Sequence, residues 1–160
     1  NKFFSMSMNK KIVSILIKKK LTLSIAESCT GGLLSSAITS VSGSSKVFSM
    51  GLVTYSNRAK IKVLGVSKKI IKKYGAVSHQ CCLAMVKNLH KLSKSKICIA
   101  TTGVAGPKGG SLKKPVGLVY IGIKINKKNL IKKFLIKDNG REFIQKQTVK
   151  ETLKILTQLF

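Results

Sequence analysis

Short apolar runs that break into small, glycine-rich polar loops, each followed by a segment of helical spacing, constrain this chain most. Residues 9–20 place apolar side chains at 12, 13, 16 and 17, the spacing of a helix. Leu21 to Ile25 alternates and predicts a strand. Glu27 to Gly32 is small and polar, and Leu33 to Ile38 resumes helical spacing. After a turn at 42–45, Leu52 to Tyr55 predicts a second strand, with Ser56 or Asn57 capping the helix beyond it. A short helix is expected over 68–74, and a longer one from Ser78 to about residue 93. Ile97 to Ala100 reads as a buried strand, Thr101 to Lys114 as a glycine-rich loop, 116–123 and 130–136 as a hairpin, and 141–160 as a closing helix. The hairpin connection is too short for a crossover, so its strands are antiparallel and the sheet is mixed. Strands alternating with helices give a layered α/β domain.

At 160 residues and 44% hydrophobic, the chain suits one domain with one core rather than a disordered tail. Residues 1–8 are expected to be a disordered or expression-derived N-terminus, and 9–160 a single domain. The charge is lopsided, with 31 Lys+Arg against 4 Asp+Glu. Only Arg58 and Arg141 are arginines, the residue suited to bidentate phosphate and base contacts, and the lysines are scattered. The charge therefore reads as a lysine-rich polar surface that attracts anionic small molecules, with non-specific rather than specific nucleic-acid binding. Cys29, Cys81, Cys82 and Cys98 form no C-x-x-C pair, and His79 and His90 lie at no zinc spacing, so reduced thiols in the cytoplasm are expected and no metal. The apolar run at 12–17 is followed by Lys18-Lys19-Lys20 and is too short for a signal peptide, and no run has the length of a membrane span.

Three loops carry candidate chemistry, and two directly follow strands, where α/β sheets place their sites. In Ala26-Glu27-Ser28-Cys29-Thr30-Gly31-Gly32, three possible nucleophiles stand side by side on a tight turn. The N–H groups of Thr30, Gly31 and Gly32 could hold an oxyanion, or the same residues could be a plain helix cap and turn. Cys29 would need a nearby His to become a thiolate, and neither His can be assigned to it. In Tyr55-Ser56-Asn57-Arg58-Ala59-Lys60, the lysine is either an ordinary surface residue or, with its pKa lowered by burial, a base. Thr102 to Ser111 holds four glycines within eight residues, which permit positive φ and close approach to a ligand, and successive N–H groups can form an anion nest. Lys113 and Lys114 follow it; the pattern is not that of a P-loop.

The order S-C-T-G-G, V-T-Y-S-N-x-A-K, G-A-V-S, T-G-V-A-G-P-x-G-G-S and K-P-V-G, over roughly residues 10–156, resembles the CinA C-terminal-domain family, which includes nicotinamide-nucleotide amidases. The resemblance implies a three-layer α/β/α sandwich around a mixed, mostly parallel sheet. It also implies deamidation of nicotinamide mononucleotide to nicotinate mononucleotide and ammonia without a cofactor, and a homo-oligomer. Ser28 is the implied nucleophile and Lys60 the implied base. Tyr55, Asn57, Thr102, Gly103, Ala105, Gly106, Gly109, Gly110 and Arg141 are the implied substrate-binding positions. Arg58, His79, Lys108 and Gln145 depart from the residues usual in such relatives, and Gln145 stands where a second arginine is common. A binder that keeps the pocket without efficient turnover is the alternative, and a nucleic-acid-associated factor a more distant one.

Overall fold

The computed structural model describes residues 2–160, with side chains from Met8 onward. Of residues 1–8, expected as an N-terminal segment apart from the domain, residue 1 lies outside the described residues and 2–8 form the start of the first helix. In chain order the elements are α1 (Lys2–Lys19), β1 (Leu23–Glu27), α2 (Leu33–Thr39), β2 (Phe48–Val53), α3 (Asn57–Lys62), α4 (Lys68–Tyr74), α5 (His79–Ser93), β3 (Ile97–Gly103), β4 (Leu118–Ile125), β5 (Lys128–Leu135) and α6 (Arg141–Leu159), with a 3-10 turn at Ser44–Lys46. Local chemistry sets several of these starts. The hydroxyls of Ser56, Ser67 and Ser78 accept N–H bonds from Ala59, Lys69 and Cys81 at 3.0, 3.2 and 3.1 Å, so each cap satisfies a donor that its helix leaves open.

The five strands form one sheet in the order β2-β1-β3-β4-β5. β1 pairs parallel with β2 and β3, while β4 is antiparallel to both β3 and β5, so four of the five strands run the same way. The sheet is the mixed, mostly parallel one expected. The interior strand β1 is buried on every residue, including Ser24, whose hydroxyl finds that of Ser95 at 2.6 Å. The exposed lysines of β5, Lys128, Lys132 and Lys133, guard a free sheet edge.

Side chains alternate across the sheet and divide the core in two. Leu23, Ile25, Ile97, Ile99, Ile121 and Ile123 face one way and pack with residues of α1, α2 and α6. Ala26, Cys98 and Ala100 face the other way, beneath α5 and the segment carrying Leu64 and Val66. Gly122 belongs to this tighter side, since a Cβ there would lie 2.9 Å from Cys82 Sγ and 3.0 Å from Val86. Small strand residues thus let α5 lie close against the sheet. The result is the three-layer sandwich.

Parallel pairing brings the C-terminal ends of β2, β1 and β3 together. Glu27 is in register with Val53 and Thr101, the Ser28 N–H donates to the Thr101 carbonyl at 3.0 Å, and the Thr54 N–H to the Glu27 carbonyl at 2.9 Å. All three loops picked out in the sequence leave the sheet at this end. The strand β3 itself runs to Gly103, because Thr101, Thr102 and Gly103 pair with Ile121, Tyr120 and Val119. The first three residues of the expected glycine loop are therefore strand.

Candidate active site

Ser28 follows β1 directly and is only 6% exposed. Lys60 sits in the second turn of α3 and is 1% exposed, although α3 is otherwise a surface helix. Its Nζ lies 2.8 Å from Ser28 Oγ, and it donates to the Thr54 and Tyr55 carbonyls at 3.0 Å each. Burial is the main influence on this amine and lowers its pKa from the ordinary value; the nearby Cys81 and Cys29 thiols act weakly the other way. No carboxylate stands among its hydrogen-bond partners or these influences. A neutral amine has two N–H donors and one lone pair. The Nζ donates to Ser28 Oγ as well, and that hydroxyl donates to the Tyr55 carbonyl at 3.4 Å; once the amine gives up a proton, its lone pair becomes available to Ser28 Oγ. This arrangement can draw the proton from a serine.

The neighbouring Cys29 differs sharply. Burial pushes its thiol up to about 12, which keeps it protonated at neutral pH. His90 is turned away, its Nδ1 3.0 Å from the Ser95 carbonyl, and His79 is exposed at the start of α5.

Glu27, which the sequence reading passed over as a candidate, organises the loop. Its carboxylate is fully buried and accepts the Thr30 hydroxyl at 2.6 Å and the N–H groups of Gly32, Leu34 and Ser35 at 3.2, 2.9 and 2.9 Å. Thr30 Oγ1 also lies 2.9 Å from Thr101 Oγ1. These bonds correct the expectation for the oxyanion donors. The Gly31 N–H is committed to the Ser28 carbonyl at 3.1 Å and the Gly32 N–H to Glu27, so neither is available to a substrate oxygen. Gly31 and Gly32 serve the turn instead, at φ of 56° and 103°. Among the described residues, the N–H groups of Cys29 and Thr30 make no backbone hydrogen bond. A signal for Glu27 was present: it is one of only 4 acidic residues, and it ends an apolar strand.

The other predicted positions separate into groups. Arg141, at the start of α6, donates to the Gly106 carbonyl at 2.6 Å and to the Tyr55 hydroxyl, joining two of the three loops. One turn on, Gln145 donates to the Cys29 carbonyl at 3.0 Å and so holds the nucleophile loop from α6. Thr102 is turned away to the other layer, donating to the Ala76 carbonyl at 2.9 Å. Packing accounts for Gly103, where a Cβ would meet Val119 at 2.7 Å, and Ala105 lies in the core. Gly106 combines a φ of 77° with a close approach to Val116. Gly109 and Gly110 are exposed, as are Asn57, Arg58 and Lys108. Lys113 is exposed too, whereas Lys114 reaches back to the Tyr74 carbonyl at the end of α4. Among the described residues, no group of three or more His, Cys, Asp or Glu side chains could hold a metal ion, and no helix is long and apolar enough to cross a membrane.

A mixed-sheet α/β sandwich with a buried serine–lysine pair at the ends of its parallel strands is the class of protein defined so far. Residues 5–160 match the CinA C-terminal domain, and the chain belongs to that family. It is 39% identical to the competence/damage inducible protein CihA from Agrobacterium tumefaciens, whose crystal structure superposes with a TM-score of 0.94 over 97% of this chain and 94% of that one. A CinA superfamily protein from Escherichia coli is 31% identical, with a TM-score of 0.93 over 98% and 90% of the two chains. A curated relative from Thermoanaerobacter pseudethanolicus, whose name refers to competence and damage induction, is 48% identical over 149 residues, 93% of this chain. The chain spans 36% of that relative's length.

Proposed function

We propose that this chain is a nicotinamide-nucleotide amidase, converting nicotinamide mononucleotide to nicotinate mononucleotide and ammonia for reuse in pyridine-nucleotide salvage. The observation that carries the chemistry is the 2.8 Å contact between Ser28 Oγ and a buried Lys60 with no acidic partner. The substrate comes from the resemblance of the five ordered motifs to nicotinamide-nucleotide amidases, together with family membership. The positive charge of the chain suits a phosphorylated substrate.

In this mechanism neutral Lys60 takes the hydroxyl proton as Ser28 attacks the carboxamide carbon. The N–H groups of Cys29 and Thr30 receive the oxyanion. The tetrahedral adduct collapses, the C–N bond breaks, and Lys60 returns the proton to the departing ammonia. Water, deprotonated by Lys60, then cleaves the acyl-serine and releases the carboxylate. Arg141 and Tyr55, with the 106–111 loop, bind the nucleotide and hold its ring over Ser28. We place the enzyme in the cytoplasm as a homo-oligomer.

The test is ammonia release from nicotinamide mononucleotide by the purified chain, with Ser28→Ala and Cys29→Ala in parallel. Wild type and Cys29→Ala should turn over, and Ser28→Ala should lose on the order of 10³-fold or more in kcat. Ligand binding without ammonia release would assign the chain to the binder alternative. Activity retained by Ser28→Ala would remove Ser28 from its role.

A further inference from the structure

The fully buried Glu27 carboxylate lies next in sequence to Ser28, and the mechanism above does not use it. Four donors converge on it. Oε1 accepts Thr30 Oγ1, the Gly32 N–H and the Leu34 N–H, and Oε2 accepts the Ser35 N–H. The Thr30 hydroxyl proton is spent on Glu27, so Thr101 Oγ1, 2.9 Å away, donates to Thr30 in turn. The chain of bonds thus runs from the end of β3 through Thr30 to Glu27 and into the first turn of α2. It closes around Ser28, whose own N–H is held by the Thr101 carbonyl.

An internal carboxylate at this place has a specific consequence. The opening turn of α2 would otherwise point several N–H groups at whatever lies beside Ser28. Glu27 consumes those of Gly32, Leu34 and Ser35, and the Ser28 carbonyl takes that of Gly31. In residues 28–32, among the described residues, only the N–H groups of Cys29 and Thr30 have neither a backbone carbonyl nor Glu27 as partner. We infer that Glu27 is the positioning residue of this site: by absorbing the other donors of the turn it selects which two N–H groups meet the substrate oxygen, and it holds Ser28 within reach of Lys60. The inference rests on the acyl-transfer reading of the site. Glu27 itself touches neither substrate nor the reacting atoms.

A carboxylate is needed because all four partners are donors and both of its oxygens must accept. In Glu27→Gln the amide nitrogen cannot accept, so either the Ser35 N–H or the three groups on Oε1 would face a donor. The turn would shift rather than unfold the sheet beneath it. Glu27→Gln should lower kcat on the order of 10²-fold while KM stays within about threefold, because misplacement by an ångström can cost that much. The rate at which a fluorophosphonate labels Ser28 should fall in parallel, since its P=O group uses the same donors. Thr30→Val provides the second arm: it removes one donor to Glu27 with little change of shape, and Thr30→Ser should restore both kcat and labelling.

A folded Glu27→Gln with wild-type kcat and labelling rate would overturn the inference, as would a lowered melting temperature with unchanged kcat per folded molecule. If Glu27→Gln does not fold, Thr30→Val with wild-type kcat and labelling has the same force. Should the wild type release no ammonia yet label at Ser28, the substrate reading fails alone, and slower labelling of Glu27→Gln still upholds Glu27. Neither release nor labelling in wild type would overturn both.

Discussion

The loops leaving β1 and β3 emerge side by side from the sheet, yet their backbones are spent in different ways. In the first, Ser28 to Thr30 are buried, and the turn's N–H groups go to Glu27 and to its own carbonyls. In the second, Pro107 to Lys113 are exposed, Leu112 completely, and Pro107 to Gly110 make no backbone hydrogen bond among the described residues. Both are rich in glycine, but glycine serves the first as a sharp turn under tight packing and leaves the second open to a ligand. A reacting atom must be held to a fraction of an ångström, whereas an exposed segment without backbone bonds of its own is free to adjust, as the proposed nucleotide binding would require. Arg141 ties the yielding loop to the end of β2 through Gly106 and Tyr55.

Breaking the rigid side should cost most. Lys60→Met removes the proposed base while filling its volume, and kcat should fall on the order of 10³-fold or more. With Lys60 in place, kcat/KM should rise with pH and level off at an apparent pKa below 10.5, because the protonated amine cannot accept the serine proton and burial lowers its pKa. The same shift has a sign for stability. Between the lowered folded value and 10.5 the unfolded chain binds more protons, so the contribution of Lys60 to stability rises with pH across that window. A flat pH–rate profile through neutral pH would count against Lys60 as the base.

Cutting the tie between the loops should have an intermediate effect. Arg141→Gln loses the bonds to Gly106 and Tyr55, and KM for the nucleotide should rise about tenfold, the equivalent of one charge-assisted hydrogen bond, with a smaller change in kcat. A loss confined to kcat would move Arg141 from binding to the chemistry of the rigid side. On the open loop, Leu112→Ser should shift unfolding free energy by no more than about 0.5 kcal/mol in a denaturant titration. A larger destabilisation would mean that this loop is packed in solution and that the contrast is overstated.

Much of this was legible in one dimension. The caps at Ser56 and Ser78, the helix at 68–74 and the closing hairpin follow from spacing and from residues adjacent in the chain. The ordered motifs identified the family, and with it Ser28 and Lys60 as partners 32 positions apart. Other readings needed three dimensions. The loop expected from residue 101 begins later, because β4 recruits Thr101, Thr102 and Gly103 into the sheet. Thr102 faces the other layer, and Gly31 and Gly32 have their N–H groups taken.

What the residues determined by themselves is the succession of elements, since caps, turns and periodicity act within a few residues of one another. What only the tertiary structure decided is the state and company of the side chains at the strand ends. Lys60, the one buried lysine among the described residues, is distinguished by its surroundings rather than its neighbours in sequence. Glu27 owes its role to a turn that brings four donors round it, and Gln145 meets Cys29 across 116 positions. Desolvation and hydrogen bonding depend on distances in space, and those exist only once β1, β2 and β3 have paired.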